Sequence, residues 1–195
     1  MTRLDKKKAS PEGRWIVDAQ AGDRKAFDRL LRCHYAGIHG TLFRLVGNAE
    51  DADDLAQETF VKAWTSLRFF RADASFGAWL TKIAIHLATD FFRARGRRGR
   101  LIGLEAMNTD PQDQRGGPQD ALSHNEARGL VARAVDELPP HLRVALVLRV
   151  LEGRDYESVA AATGVRVNTV RTQVMRARRM LEQMLKPLLD SRRKP

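Results

Sequence analysis

The sequence predicts an all-α fold in which two small helical domains are joined by a flexible linker. Apolar residues recur at helical spacing over long segments, for example across residues 27–45. We find no sustained alternation of apolar and polar residues of the kind that is typical of a strand. Residues 99–124 lack periodicity and include a Gly-Gly-Pro run at 116–118. A tether of this length is unusual inside one compact domain, which favours two helical units.

The chain divides into five predicted segments. They are a basic N-terminal arm with a short helix (1–20), a first helical domain (21–98), a linker (99–124), a second helical domain (125–187) and a basic tail (188–195). Asp23 is expected to cap the first long helix, because a carboxylate before a helix accepts from its unpaired N–H groups. Gly47 and Asn48 are expected to end that helix.

Composition limits the classes of function. The net charge of +10 favours a polyanionic partner, most simply nucleic acid. Cys33 is the only cysteine, so we predict neither a disulfide framework nor a cysteine-based zinc site, and His34 beside it lacks further ligands. The charged first residues do not resemble a signal peptide, and no run is long and apolar enough to span a membrane. We therefore expect a cytoplasmic protein without cofactor or metal.

Residues 156–185 are typical of a helix-turn-helix. Ala160 is small enough for a second helix to approach closely, and Gly164 stands where the chain leaves the first helix and needs a positive φ. Val170 and Val174 are spaced to close a small core between the two helices. The spacing predicts two helices that pack at a steep angle.

The second helix of this motif has a cationic outer face. From Arg154 to the end of the chain, ten Lys or Arg residues stand against four Asp or Glu residues. A cationic helix with polar residues near its N-terminus suits the major groove of DNA. The alternative is a solvated face on an ordinary bundle helix. Cations and hydrogen-bond formers cover this outer face over about three turns, namely Arg171, Thr172, Met175, Arg176, Arg178 and Arg179.

An acidic face is predicted on the helix that begins near Glu50. Asp54, Gln57, Glu58 and Val61 are spaced so that they share one side of this helix. In so basic a chain, such a face opposes DNA binding and suits a basic protein surface, although a solvated helix face remains the alternative. A catalytic carboxylate pair is disfavoured, because nothing nearby supplies a nucleophile, a metal triad or a phosphate loop.

A loop and the helix after it combine aromatic and cationic residues. Phe69, Phe70 and Arg71 lead into a helix whose polar side carries Lys82 and His86. Single-stranded DNA needs this combination, because rings stack on bases and cations follow phosphates. At least one of the two phenylalanines is expected in the core, since aromatic side chains usually bury.

Several motifs, in order, resemble one family. Residues 51–64 (DADDLAQETFVKAW) look like region 2.2 of bacterial sigma factors, and residues 76–84 (FGAWLTKIA) resemble regions 2.3 and 2.4. Leu138-Pro139, residues 156–160 (YESVA) and residues 169–172 (TVRT) resemble region 4. The chain is similar to the extracytoplasmic-function (ECF) group of the sigma-70 family, which keeps only regions 2 and 4. The resemblance covers about residues 20–98 and 125–186.

The resemblance implies binding partners and roles. Core RNA polymerase would bind through the clamp of its largest subunit and the flap of its second largest subunit, and region 4 would recognise the −35 element of promoter DNA. Region 2 would capture −10 bases, with a flipped base in the loop from Phe69 to Ala74. An anti-sigma factor and a role in stress response are also implied. The residues that the resemblance assigns to −35 bases or phosphates are Asn168, Arg171, Thr172, Met175, Arg176 and Arg179. The residues assigned to the −10 element are Phe70, Arg71, Ala72, Lys82, His86, Asp90, Arg93 and Arg97, and those assigned to core polymerase are Asp51, Asp54, Gln57 and Glu58.

One residue departs from the family pattern. Where members often have Asn in region 2.3, this chain has His86, which leaves the −10 base preference open.

Two other functional classes compete with a promoter-specificity subunit. A stand-alone helix-turn-helix regulator would bind duplex DNA tightly by itself, whereas a nucleic-acid enzyme lacks any candidate nucleophile or metal cluster.

Overall fold

The computed structural model describes residues 10–71, 75–102 and 129–191, and every regular element in these ranges is helical. The helices are α1 Pro11–Gln20, α2 Arg24–Val46, α3 Ala49–Ser66, α4 Phe76–Ile102, α5 129–136, α6 Pro140–Leu146, α7 Tyr156–Thr163 and α8 Val167–Ser191. A 3₁₀ turn, Leu67–Phe69, follows α3, and a π-helical turn, Val147–Leu151, follows α6. The predicted all-α fold class is confirmed.

The ends of α2 are set by local interactions. Asp23 Oδ1 accepts hydrogen bonds from the backbone N–H groups of Lys25 (2.8 Å) and Ala26 (3.3 Å). At the other end, Gly47 has a φ of 81°, a left-handed conformation that glycine adopts without steric cost. Both the predicted cap and the predicted end of this helix are confirmed.

Helices α1–α4 enclose an apolar core. The side chains of Leu30 and Leu42 on α2 and Leu80 on α4 are fully buried, and Phe60 on α3 is nearly so. Burying each such side chain stabilises the fold by roughly 1.5–3 kcal/mol. The core therefore sits between α2, α3 and α4, and the polar sides of α3 and α4 are left for contacts with other molecules.

Two helices extend further than the sequence pattern suggests. Helix α4 continues to Ile102, past the predicted start of the linker at Gly99. One glycine costs a helix only about 1 kcal/mol relative to alanine, which does not suffice to end it. Helix α8 runs to Ser191, so the first residues of the predicted tail are helical. The rest of the linker prediction, residues 103–124, and tail residues 192–195 lie outside the described residues.

Pro and Gly residues mark the starts and turns of the helices in the C-terminal unit. Helix α5 stops before Pro139, and α6 starts at Pro140, where a proline is tolerated because the first turn needs no N–H partner. Gly153 has a φ of 68° and turns the chain from the π-helical segment toward α7. Leu138, Leu142, Leu146 and Ala177 form a small cluster between α6 and α8.

The two units are in contact in this structure. Helix α7 packs on α4, and the apolar residues Val144, Val147 and Leu148 belong to the same buried cluster as the core of the first unit. A polar contact accompanies this packing: the carboxylate of Glu152, 6% exposed, accepts from Arg44 of α2 at 2.9 Å. The sequence predicts separate cores, whereas most of the buried apolar residues form one cluster shared by both units.

Candidate nucleic-acid interface

The helix-turn-helix forms as its spacing predicts. Asp155 accepts from the backbone N–H of Ser158 at 2.6 Å and caps α7, and this hydrogen bond lowers the pKa of the Asp155 carboxyl. Gly164 ends α7 with a φ of 72°. Val159 and Val170 are fully buried between α7 and α8. The predicted roles of Gly164 and Val170 are thus confirmed, and α8 is held with one face outward.

The outward face of α8 carries the residues predicted to bind the −35 element. Asn168, Arg171, Thr172, Met175, Arg176 and Arg179 are all exposed. Their spacing places them on about one half of the helix, opposite the buried Val170 and Val174. The structure therefore brings these six side chains together on one accessible surface, where cations and hydrogen-bond formers alternate.

The ring of Tyr156 holds one arginine of this surface in place. The guanidinium of Arg171 lies 5.4 Å from the ring centroid of Tyr156 and also donates to Asn168 Oδ1 at 3.3 Å. Arg149, on the turn before α7, lies 4.9 Å from the same ring. Sequence reasoning did not identify Tyr156 or Arg149 as contributors to this surface. In the sequence Tyr156 stands between Asp155 and Glu157, so nothing local indicates a contact with arginines, and the contact becomes visible only in three dimensions.

The polar side of α4 carries a second exposed row. Lys82, His86, Asp90 and Arg93 are exposed and lie within about three turns of one another. His86 Nδ1 donates to the carbonyl oxygen of Lys82 at 2.7 Å, so the other ring nitrogen is directed away from the helix backbone. Asp90 accepts from Arg93 at 3.1 Å. This pairing reduces the repulsion that a lone carboxylate would exert on a DNA phosphate.

The row on α4 borders a groove between the two units. A cavity of about 210 Å³ is lined by His86, Asp90 and Arg93 from α4 and by His141 and Gln173 from the C-terminal unit. The predicted −10 residues therefore lie next to the C-terminal unit in this conformation. Arg97 is on the same helix, but its side chain lies outside the described residues.

The loop before α4 corrects one prediction. Phe70 is only 8% exposed, and its ring packs 5.5 Å from Phe76 and 5.1 Å from Trp79. It is therefore not available to contact DNA in this conformation, because Phe76 and Trp79 cover its ring. Phe69 is 69% exposed instead, with the guanidinium of Arg68 lying 4.6 Å from its ring centroid. The expectation that one of the two phenylalanines is buried is confirmed.

Arg71 follows Phe70 and is exposed, as a contact to a nucleic-acid strand requires. Ala72, also predicted to contact the −10 element, lies outside the described residues. Phe69 and Arg71, one aromatic and one cationic, are therefore both accessible before α4, and so are Arg68 and Ser75.

The acidic face of α3 is exposed as predicted. Asp54, Gln57 and Glu58 are exposed, and Val61 beside them is 61% exposed. Glu58 pairs with Lys62 at 3.1 Å, an exposed contact of the kind that contributes little to stability.

Asp51, the fourth predicted polymerase contact, has a structural role as well. Its backbone N–H donates to Asn48 Oδ1 at 2.8 Å, and its carboxylate accepts from Asn48 Nδ2 at 2.6 Å and lies 3.6 Å from Arg95. These contacts cap the start of α3. Asp51 is half-buried and less accessible than Asp54, Gln57 and Glu58.

A row of aromatic rings, which sequence reasoning missed, lies at one edge of the acidic face. Tyr35, His39 and Phe43 on α2 stack at centroid distances of 5.8 and 6.4 Å. Asp53 of α3 accepts from Tyr35 at 3.0 Å and pairs with His39 at 3.1 Å. Burial first, and then Asp53, raise the pKa of the Tyr35 hydroxyl. In the sequence, these rings are visible only as an aromatic residue at every fourth position, and that pattern is equally typical of an ordinary buried helix face.

Neither a metal-binding cluster nor a membrane-spanning helix is found among the described residues. Within residues 10–71, 75–102 and 129–191, no group of three or more His, Cys, Asp or Glu side chains could hold a metal ion. Among the same residues, no helix combines the length and apolar character needed to cross a membrane.

Comparison with known proteins identifies the family. Residues 30–98 match the family described as Sigma-70 region 2, and residues 128–181 match Sigma-70, region 4. The chain is 37% identical over 180 residues to the RNA polymerase sigma-H factor of Pseudomonas aeruginosa, which covers 89% of this chain and 93% of that protein. It is 34% identical over 180 residues to the ECF RNA polymerase sigma-E factor of Escherichia coli, which covers 89% and 94%.

Solved structures agree with these relatives. The structure of CnrH in complex with the cytosolic domain of CnrY superimposes with a TM-score of 0.63 at 26% identity, covering 91% of this chain and 99% of that one. The sigma factor RpoE in complex with the anti-sigma factor NepR, from Bartonella quintana, gives a TM-score of 0.58 at 26% identity, covering 83% and 98%. The chain therefore belongs to the ECF group of the sigma-70 family: it is a non-enzymatic RNA polymerase sigma factor that directs transcription initiation.

Proposed function

We propose that the two exposed cationic surfaces divide promoter recognition between them. Helix α8 reads the −35 element with the row from Asn168 to Arg179, and α4 with Phe69 and Arg71 takes the −10 strand. In this division, residues 21–98 act as the region 2 unit and residues 125–187 as the region 4 unit. The exposure of the two rows, on separate helices, supports the assignment, since direct reading of DNA requires accessible donors and cations.

The acidic face of α3 binds core RNA polymerase in this proposal. Asp54, Gln57 and Glu58 present carboxylates and an amide beside the exposed Val61, a combination that suits a basic protein surface with some apolar contact. The expected partner surface is the clamp of the largest polymerase subunit. Region 4 contacts the flap of the second largest subunit, and the linker, residues 99–124, passes between these two sites through the polymerase cleft.

An anti-sigma factor is the second expected protein partner. Two of the similar solved structures are complexes, one with the cytosolic domain of CnrY and one with the anti-sigma factor NepR. A regulator of this kind would bind this chain in the cytoplasm, where we place its activity.

One observation carries the proposal: an acidic face on α3 stands apart from two cationic rows on α4 and α8 in the same chain. The test is to mix the purified chain with bacterial core RNA polymerase and follow co-migration on size exclusion at sub-micromolar concentration. We expect a complex with core, and promoter DNA bound by that complex much more tightly than by the chain alone.

Two controls make the test specific. Glu58→Lys should weaken the complex, because it inverts a charge at the centre of the acidic face. Asp28→Lys introduces the same charge change on the exposed side of α2 and should leave the complex intact. Equal affinity of the wild-type chain and Glu58→Lys for core would show that the acidic face is not the docking surface.

A further inference from the structure

Helix α1 contacts the segment that precedes α4. This helix lies outside the matched region 2, which begins at residue 30. It nevertheless packs along α2 and reaches the 3₁₀ turn Leu67–Phe69. The residues that follow this turn, Phe70 and Arg71, lead toward the proposed −10 surface. Contacts from α1 are therefore in a position to affect how that surface is presented.

Gln20, the last residue of α1, makes the closest of these contacts. Its side-chain Nε2 donates to the carbonyl oxygens of Leu67 and Phe70, each at 3.0 Å. An amide NH₂ group has two N–H donors, so both are used on this one turn. The Leu67 carbonyl also accepts from the backbone N–H of Phe70 at 3.0 Å. Gln20 thus binds the first residue of the turn and the residue that follows the turn, Phe70, which stands directly before Arg71.

A second contact holds the start of α4. Glu12 of α1 pairs with His34 Nε2 at 2.7 Å, and the His34 ring lies edge-on to Phe76 at 5.4 Å. The approach is close, because a Cβ on Gly77 would lie 3.2 Å from His34 Cε1. Helix α1 therefore reaches the chain on both sides of Arg71, through Gln20 before it and through Glu12 and His34 after it.

The rings below this segment leave little room for it to shift. Phe70, Phe76 and Trp79 pack at centroid distances of 5.1–5.5 Å. With the Phe70 ring buried and its carbonyl held by Gln20, the backbone direction at Arg71 is set. The exposed side chains of Phe69 and Arg71 then start from a defined position on the surface.

We propose that Gln20 is a positioning residue for the −10 strand, acting through the turn to orient Phe69 and Arg71. This inference rests on the proposed function, in which these two side chains contact that strand. Gln20 itself does not touch DNA. The two hydrogen bonds from its amide order the segment before DNA binds. A contact that is already ordered binds more tightly than one that must be ordered on binding.

The test compares three variants in the full chain bound to core RNA polymerase. Gln20→Glu keeps the size of the side chain, removes both donors and sets a carboxylate against two carbonyl oxygens. Gln20→Lys restores N–H donors at similar reach. Asp18→Asn is the control: it is an amide–acid exchange at an exposed residue of the same helix.

The DNA probes come from the wild-type complex itself. It first selects a single-stranded oligonucleotide from a random pool, and it separately selects a duplex. Affinities of each variant for the strand, the duplex and core polymerase are then measured, together with the thermal unfolding midpoint.

We expect Gln20→Glu to weaken strand binding about tenfold, because a held segment loses two hydrogen bonds. Duplex and core affinities should match the wild type, and Gln20→Lys should recover most of the strand affinity. The decisive step is a mutant cycle with the paired truncation Phe69→Ala/Arg71→Ala. If Gln20 acts through this segment, Gln20→Glu causes little further loss once both of these side chains are already truncated.

Other results would overturn the assignment. Unchanged strand affinity in Gln20→Glu, or an equal loss with and without the Phe69 and Arg71 side chains, would show that Gln20 does not act through this segment. A loss shared by strand, duplex and core affinity, with a lowered unfolding midpoint in both Gln20 variants, would assign Gln20 to stability alone. A wild-type complex that selects no strand would instead remove the proposed −10 surface, and this inference with it.

Discussion

At the scale of single side chains, the arginines of α8 differ in how they are held. Arg171 is fixed between Asn168 and the ring of Tyr156. Arg176 lies on the other flank of the outward face, one turn after Thr172, and is exposed. A side chain that is held before binding loses less entropy when it binds. Arg171 is therefore suited to fix the register of the helix, and Arg176 to read a base.

Truncating Arg176 tests this difference. Arg176→Ala should cost about 1–3 kcal/mol in promoter binding and relax the preference at one −35 position, as expected for a base contact. Binding of the complex with core polymerase would be measured on promoters substituted at each −35 position. Arg178→Ala, an equal change of charge two residues along, should lower affinity for all of these promoters alike. A uniform loss in Arg176→Ala would assign that residue to phosphate contact instead.

His86 is the residue of α4 that departs from the family pattern. Its Nδ1 donates to Lys82 within the helix, which leaves the opposite ring nitrogen for the strand. An Asn at this position is shorter and presents an amide, so His86→Asn should shift the preferred base at one −10 position. Transcription from promoters randomised across the −10 element would measure the shift. His141→Asn, on the other side of the groove, should leave the preference unchanged.

At the scale of helices, caps and turns decide the geometry of the DNA-binding surface. Asp23 and Asp155 start α2 and α7, and Gly47 and Gly164 end them in the left-handed conformation. Because each cap involves residues within a few positions of one another, the corresponding helix boundaries could be predicted from sequence. The turn at Gly164 additionally sets the angle between α7 and α8.

Gly164→Ala should therefore destabilise the chain by about 1–2 kcal/mol, the cost of a left-handed conformation for a residue with a Cβ. The cost arises from the backbone alone, because a Cβ at this position would meet no atom within 4 Å. Chemical denaturation would measure it. Gly129→Ala is the matched control: it also meets no atom, but its φ is not positive and the residue is helical. That change should stabilise by about 0.5–1 kcal/mol.

At the scale of the whole molecule, a buried carboxylate joins the two units. The side chain of Glu152 is 6% exposed and accepts from Arg44 of α2 at 2.9 Å and from Arg154 at 2.7 Å. Arg154 also donates to Thr81 of α4 at 3.4 Å. Nearby, the guanidinium of Arg143 lies 4.4 Å from the ring centroid of Phe92 on α4. Charged contacts therefore surround the apolar packing between the units.

The ionisation of Glu152 makes this contact depend on pH. Burial alone would raise the pKa of the carboxyl, but hydrogen bonds from Thr41 and Arg44 and the charge of Arg154 hold it below its ordinary value of 4.5. A carboxyl whose pKa is lower in the folded state stabilises that state above its unfolded pKa, and the stabilisation is lost as the pH falls through the folded value.

Removing this charge should therefore matter only at higher pH. At pH 7, Glu152→Gln should destabilise the chain by about 1–3 kcal/mol, because Arg44 and Arg154 lose the negative charge between them and one of them faces an NH₂ group in place of an acceptor oxygen. The difference from the wild type should shrink as the pH falls below about 4.5. Urea unfolding at a series of pH values measures this. Glu157→Gln, an exposed carboxylate on α7, is the control and should change little at any pH. A difference that stays constant with pH would exclude ionisation as the cause.

Much of the candidate site follows from sequence because its members are close together along the chain. The rows on α4 and α8 and the acidic face of α3 are single helix faces, and helical periodicity alone groups their residues. Helical periodicity does not show that Phe69 is exposed and Phe70 buried. The two neighbours are chemically identical, and which one is buried depends on the rings of Phe76 and Trp79, which the turn brings beneath Phe70.

The sequence by itself determined the helices, the cap at Asp23, the helix ends at Gly47 and Gly164 and the family, since these depend on local spacing and on motifs read in order. Only the tertiary structure decided which distant residues meet. Gln20 contacts carbonyls 47 and 50 positions away, and Arg44 reaches Glu152 across 108 positions. Neither pair has a local signature, because each contact depends on how whole helices pack. The packing of helices, more than the preference of any one segment, therefore determined these contacts.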